Sequence, residues 1–160
     1  MKLLLAVGAK INQQQNWGWS PLIDAVVGCN LEAVKILLQA KANMEIAESN
    51  GTTALMSAVE QLRVSNPEKA ENAWKIFELL LAKGANVNAQ SQSGKTALMS
   101  AAYQANVNAL RLLGQYKANP NLRDCYGKTA LMNICQEEYQ KAEKLVQVIE
   151  TLLQLGADVS

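Results

Sequence analysis

Two triplets carry the residue types of a phosphate cradle. Gly94-Lys95-Thr96 and Gly127-Lys128-Thr129 each end as a P-loop ends, with a lysine for the phosphates and a hydroxyl for magnesium. That loop also needs an earlier glycine, at 89 or 122, and the chain has Ala89 and Leu122 there. No strand signal leads into either triplet, so both are read as turns. The chain contains no histidine, which removes Ser-His-Asp and Cys-His pairs and any histidine metal site. Glu137 and Glu138 are sequence neighbours that do not face each other on a helix, so they read as surface charge. Cys29, Cys125 and Cys135 form no CxxC pair and read as free thiols in a reducing compartment. Cys125 is expected on an exposed turn and Cys135 at a small-residue core position. Neither has a base nearby in the pattern to make it a nucleophile. No catalytic residue, cofactor or metal is expected.

Charge narrows the partners. Fifteen Lys and Arg against fourteen Asp and Glu argue against a general phosphate-binding surface. Lys95, Arg123 and Lys128 fall close together in register, but three cations support only weak, salt-sensitive nucleic-acid binding. No apolar run reaches the roughly 18 residues of a membrane span. Met1-Lys2 followed by Leu3 to Ala9 mimics a very short secretory signal. The repeat register accounts for it better: Leu4, Leu5, Gly8, Ala9 and Asn12 match Leu80, Leu81, Gly84, Ala85 and Asn88.

That register positions every residue named so far. Gly18 to Gly51 and Gly94 to Gly127 are each 33 residues apart, and Gly51 to Gly94 is 43. Two positions after each glycine stands a hydroxyl (Ser20, Thr53, Thr96, Thr129), and four positions after stands leucine (Leu22, Leu55, Leu98, Leu131). Such a period means stacked supersecondary units that share one core. One domain is expected over 1–160, with a partial repeat at 1–15 and repeats at 16–48, 49–91, 92–124 and 125–160.

Each unit reads as a helix pair. The glycine opens a turn with φ > 0. The hydroxyl N-caps a first helix, strengthened in the first unit by Pro21 after Ser20. Ala101 and Ala102 keep the first helix slim, and Val107, Leu110, Leu112 and Leu113 carry the second into the core. The second helix ends near Lys117, where Gly8, Gly84 and Gly156 stand in other units and glycine suits a left-handed residue. Lys41 and Lys117 break that rule at a cost of roughly 1 kcal/mol each. Two insertions, at 61–70 and 136–144, fall at the helix–helix corner. Asn66-Pro67 reads as the start of a second helix running to about Ala82.

The units resemble the ankyrin repeat. Gly18-Trp19-Ser20-Pro21-Leu22, Gly51-Thr52-Thr53-Ala54-Leu55, Gly94-Lys95-Thr96-Ala97-Leu98 and Gly127-Lys128-Thr129-Ala130-Leu131 carry the likeness, with Gly84-Ala85-Asn86-Val87-Asn88 completing it. The resemblance implies an all-α solenoid of paired antiparallel helices with β-hairpin-like fingers. The family's turn motif usually has histidine after the leucine. This chain has Ile23, Met56, Met99 and Met132 there, so apolar packing must replace the histidine hydrogen bonds. The TALM form (residues 53–56, 96–99 and 129–132) is similar to bacterial ankyrin repeats. With free thiols in a reducing compartment, a cytoplasmic protein is expected, or one in a host cytoplasm if it is a secreted effector.

The resemblance also implies a non-catalytic scaffold that binds a protein partner through finger tips and the concave face. Carried onto this chain, its surface positions include Trp17, Trp19, Glu60, Gln61, Lys95, Tyr103, Gln104, Arg123, Tyr126 and Lys128. The aromatic members Trp17, Trp19, Tyr103 and Tyr126 are the residue types that most often anchor interfaces. The alternative for the two tryptophans is packing on a neighbouring finger. A second reading is structural: a segment of a longer effector or multidomain protein, or an array that self-associates through apolar ends bearing Ile149, Leu152, Leu153 and Val159.

Overall fold

The structure, a computed structural model, describes residues 10–135 and 142–159. They form eight α-helices: α1 (Pro21–Val27), α2 (Leu31–Gln39), α3 (Ala54–Gln61), α4 (Pro67–Ala82), α5 (Ala97–Tyr103), α6 (Val107–Gln115), α7 (Ala130–Ile134) and α8 (Ala142–Gln154). No strand forms among the described residues. The chain divides into two compact units, Met1–Asn86 and Val87–Ser160. In the first, α1 packs on α2 and α3, and α4 packs on both α2 and α3. In the second, α5 packs on α6 and α7, and α8 packs on both α6 and α7. Each unit is two helix pairs side by side, as the period predicts.

The starts of the helices follow from their caps. Ser20, Thr53, Thr96 and Thr129 accept hydrogen bonds from the backbone N–H groups of Ile23, Met56, Met99 and Met132, at 3.3, 3.5, 3.1 and 3.3 Å. All four hydroxyl residues are buried, so the cap also satisfies a polar group that water cannot reach. Asn30, Asn66 and Asn106 cap the second helices in the same way. The longer spacing in the second repeat becomes α4, 16 residues against nine in α2 and α6. Its bounds, Pro67 and Ala82, are those expected. Of the insertion at 136–144, residues 136–141 lie outside the described residues, as do Leu4, Leu5, Gly8 and Ala9.

The ends of the second helices are left-handed. Lys41, Gly84, Lys117 and Gly156 have φ of +61°, +85°, +65° and +88°. At each, two backbone bonds close the helix; for α6 they run from the Lys117 N–H to the Gly114 C=O and from the Ala118 N–H to the Leu113 C=O, both 3.0 Å. This pairing satisfies carbonyls the helix leaves open, and it requires the left-handed residue. Cys29 and Ala105 adopt the same conformation at the ends of α1 and α5, with φ of +53° and +50°. The sequence hides the first of these, because Gly28 stands next to Cys29 yet is right-handed itself, at φ −70°. Lys117→Gly and Lys41→Gly are each expected to raise stability by about 1 kcal/mol. Urea unfolding followed by circular dichroism checks this. No gain at either site would mean that the lysine stems offset the backbone strain.

The core alternates along the helices. Leu22, Ile23, Leu55, Phe77 and Leu80 in the first unit, and Leu98, Leu110, Leu113 and Leu152 in the second, are at most 2% exposed. Ile23, Met56 and Met99 are buried at the position where histidine was missed, and Met132 is half-buried. Two expectations need correction. Val107 and Leu112 are only half-buried. The inward stripe of α6 runs through Ala109, Leu110 and Leu113, and residue 112 lies to its side, since adjacent residues are about 100° apart on a helix. Cys135 is exposed and not a core residue. Its register equivalents Val26, Val59 and Ala102 are 1, 0 and 1% exposed. They lie in or at the end of longer first helices, whereas α7 stops after five residues and leaves Cys135 as its C-cap.

Candidate functional site

The exposed turns are built alike. The N–H of the first turn residue bonds the C=O four positions on: Gln15 to Trp19, Glu48 to Thr52, Ser91 to Lys95 and Asp124 to Lys128, each at 2.9 Å. The glycine N–H returns to the first residue's C=O, at 2.8–3.0 Å in every case. This geometry lifts the residue before the glycine to the tip. Those residues are Trp17, Asn50, Ser93 and Tyr126. The segments expected as β-hairpin-like fingers are thus tight turns closed by paired backbone bonds.

Within each unit, neighbouring turns are tied together. The Ser49 N–H donates to the Trp17 C=O, and the Cys125 N–H to the Ser93 C=O, both at 2.8 Å. Gln14 donates through Nε2 to the carbonyls of Gly18 and Ala47, at 2.7 and 2.8 Å. Gln90 does the same to Gly94 and Arg123, at 2.9 and 2.8 Å. Arg123 occupies the register of these glutamines and donates from Nη1 to the Gly127 C=O at 2.8 Å. Its guanidinium therefore braces its own turn.

A second set of ties was not anticipated. Asn12, Glu45, Asn88 and Asn121 share one register position, and their side-chain oxygens accept from the backbone N–H groups of Asn43, Asn86, Asn119 and Asp158 at 2.7–2.9 Å. The recurrence of asparagine was visible in the sequence; its bonding to the following repeat was not.

Asp124 anchors the last turn. Its Oδ1 accepts from the Tyr126 and Lys128 N–H groups, each at 2.9 Å, and its Oδ2 accepts from Asn133 Nδ2 at 3.0 Å. Partial burial opposes its ionised form. The hydrogen bonds from Asn133, Lys128 and Tyr126, with the charge of Lys128, outweigh that and hold the carboxyl below its ordinary value. Because the folded pKa is depressed, the stability it contributes is complete above the ordinary value of 3.8 and fades as pH falls through the folded one.

The surface residues expected from the sequence fall into the two units. In the first, Trp17 is 81% exposed, while Trp19 is half-buried. Trp17 also holds a φ of +73°, rare for a bulky side chain. Glu60 is exposed and Gln61 half-buried at the end of α3. In the second, Tyr126 is 82% and Tyr103 49% exposed. Lys95 Nζ lies 5.9 Å from the Tyr103 ring centroid, within reach of a cation–π attraction. Lys95 and Arg123 are exposed; Gln104 and Lys128 are half-buried. Arg123, Tyr126 and Lys128 share one turn, and the Cys125–Ser93 bond sets that turn beside the one carrying Lys95. Tyr116, 41% exposed at the end of α6, was not among the expected residues, because its register belongs to a second helix. Cys125 is exposed, as expected.

Such a surface offers rings, amides and cations on braced turns. Among the described residues no helix is long and apolar enough to cross a membrane. No curated protein matches the chain. A family model described as Ankyrin repeats (3 copies) matches residues 1–71 and 68–160. Helix pairs, repeated caps and tied turns agree with that match, and the chain belongs to the ankyrin-repeat family.

Proposed function

We propose that this ankyrin array is a non-catalytic scaffold that binds a protein partner through the tips of its turns and the ends of its first helices. Ankyrin repeats generally serve as protein–protein interaction modules, and the family is typically non-catalytic. One observation carries the reading furthest. Trp17 and Tyr126 stand at the same turn position in different units, 81% and 82% exposed, in a chain with few aromatic residues. Large rings left in water at a braced tip have no packing role there, and they bury much area on contact with few rotors to freeze. Tyr103 adds a third ring beside Lys95. Glu60, Gln61 and the half-buried Trp19 accompany the Trp17 tip in the first unit, and Gln104, Arg123 and Lys128 add polar groups in the second.

The test uses Trp17→Ala, Tyr103→Ala and Tyr126→Ala, each checked for folding, against a partner protein or selected peptide ligand. At least one is expected to lose about 2 kcal/mol of binding, roughly thirtyfold in affinity. Full affinity in all three folded variants removes the proposed surface.

A further inference from the structure

The near-neutral charge of the whole chain conceals an uneven distribution. Residues 87–135 contain five cations, Lys95, Arg111, Lys117, Arg123 and Lys128, and a single carboxylate, Asp124. Residues 1–86 contain eight Lys and Arg against eight Asp and Glu, and residues 136–160 contain two against five, so the basic excess is confined to 87–135. The one carboxylate of the basic stretch is engaged in its own turn, accepting from Tyr126, Lys128 and Asn133.

Three of the five cations belong to the turns. Lys95 and Lys128 each follow a turn glycine, and Arg123 opens the turn of residues 124–128. The two turns touch: Cys125 bonds Ser93, and a Cβ on Gly94 would lie 2.6 Å from the Asp124 Cα. Tyr103 lies against Lys95 of the first turn, and Tyr126 stands exposed at the tip of the second, next to the Cys125 that bonds Ser93. In the first unit the residues equivalent to Lys95 and Lys128 are Trp19 and Thr52, both uncharged. The basic, aromatic edge is therefore a property of the second unit.

Building on the scaffold reading, we propose that this edge binds an acidic segment of the protein partner. Carboxylates would meet Lys95 and Lys128, and apolar side chains between them would cover the rings of Tyr103 and Tyr126. Charge of this kind governs encounter and partner choice more than final affinity. A polypeptide suits the edge better than a nucleic acid. Nucleic-acid affinity rests on many phosphate contacts, on the order of 6–10 in a tight complex. Arg111 and Lys117 lie on and just after the second helix α6, so the turns themselves present only Lys95, Arg123 and Lys128.

Selection of short random peptides displayed on phage tests this, run on the full chain and on a Lys95→Glu, Lys128→Gln variant. The turn bonds of Lys95 and Lys128 to Ser91 and Asp124 come from their backbone N–H groups, which both substitutions keep, while Lys128→Gln removes the charge that favours the Asp124 carboxylate. Lys95→Gln alone serves if the double variant melts early. The full chain is expected to enrich peptides with an excess of Asp and Glu. Their affinity should fall about tenfold in the variant, and it should weaken as salt rises from about 50 to about 200 mM. Peptides without acidic excess that still lose affinity in Trp17→Ala or Tyr126→Ala would overturn the acidic proposal and leave the scaffold intact. A labelled single-stranded oligonucleotide that binds more tightly than the selected peptides would overturn it in favour of nucleic acid. No enrichment above background counts against both readings.

Discussion

Gly94→Ala is expected to destabilise the chain by about 3 kcal/mol, and Gly127→Ala by only about 1 kcal/mol. Both glycines hold a left-handed backbone, at φ of +75° and +76°. An alanine in that region costs about 1 kcal/mol or somewhat more wherever it stands. The surroundings differ. A Cβ on Gly94 would lie 2.6 Å from Asp124 Cα and 2.9 Å from both Asp124 C and Cys125 N. These are backbone atoms and cannot rotate away. To make room, the two turns must part, and the 2.8 Å bond from the Cys125 N–H to the Ser93 C=O is the first to stretch. A Cβ on Gly127 meets nothing within 4 Å. Urea midpoints of the two variants, measured together, give the comparison. Equal losses would show that φ alone decides and that the turns are not held in contact. If they are, Gly94→Ala should also weaken any ligand that spans Lys95 and Tyr126.

The same pair of glycines shows how far a sequence can be read. The period made all four turn glycines look equivalent, and their φ values are indeed nearly alike. What separates Gly94 from Gly127 is whether another turn lies against it, which depends on three-dimensional neighbours. The helix starts were legible for the opposite reason. A cap is a local bond spanning three residues, so Ser20-Pro21, Thr53 and Asn66-Pro67 reveal it directly. Lys41 and Lys117 were legible as left-handed only because glycine holds their register elsewhere. Cys29 and Ala105 had no such guide, and Gly28 pointed to the wrong position.

Exposure was harder to read than register. Cys135 occupies a position buried in the other repeats, so periodicity placed it in the core; the short α7 leaves it at the surface. Trp17 and Trp19 flank one glycine and differ by two positions, yet one is at the tip and the other half-covered. The turn's own geometry makes that distinction, through φ of +73° at residue 17 and an extended backbone at residue 19. The ties of Asn12, Glu45, Asn88 and Asn121 escaped notice because a side chain bonded some 30 residues or more ahead leaves no local signature. Arg123 shows the converse. It was expected as a binding cation, and its guanidinium turns back to brace Gly127.

Phe77→Ala is expected to cost about 3–5 kcal/mol, the largest loss from any single truncation in the first unit. Phe77 is the chain's only phenylalanine and is fully buried in α4. It packs edge-on to Trp74, with ring centroids 5.6 Å apart and planes at 66°. The register positions Val34 and Leu110 are likewise fully buried, so the site is a core position in the first three repeats, whereas its match in the last, Ile149, is half-buried. Phe77 is the largest side chain of the three, and its removal leaves the largest cavity. Phe77→Leu restores most of the volume and should cost about 1.5 kcal/mol or less. Trp74 is only half-buried, with its indole N–H bonded to Glu78 at 2.8 Å, so Trp74→Ala should fall well short of Phe77→Ala. Urea unfolding ranks the three, and hydrogen exchange locates the damage. Because α4 packs on both α2 and α3, protection should fail first in these helices. Glu60 and Gln61 close α3, so a ligand held there should loosen with them. Similar losses for the alanine and leucine variants would mean that the helices close over the void, and the core of this repeat would then be adaptable where we infer it to be tightly filled.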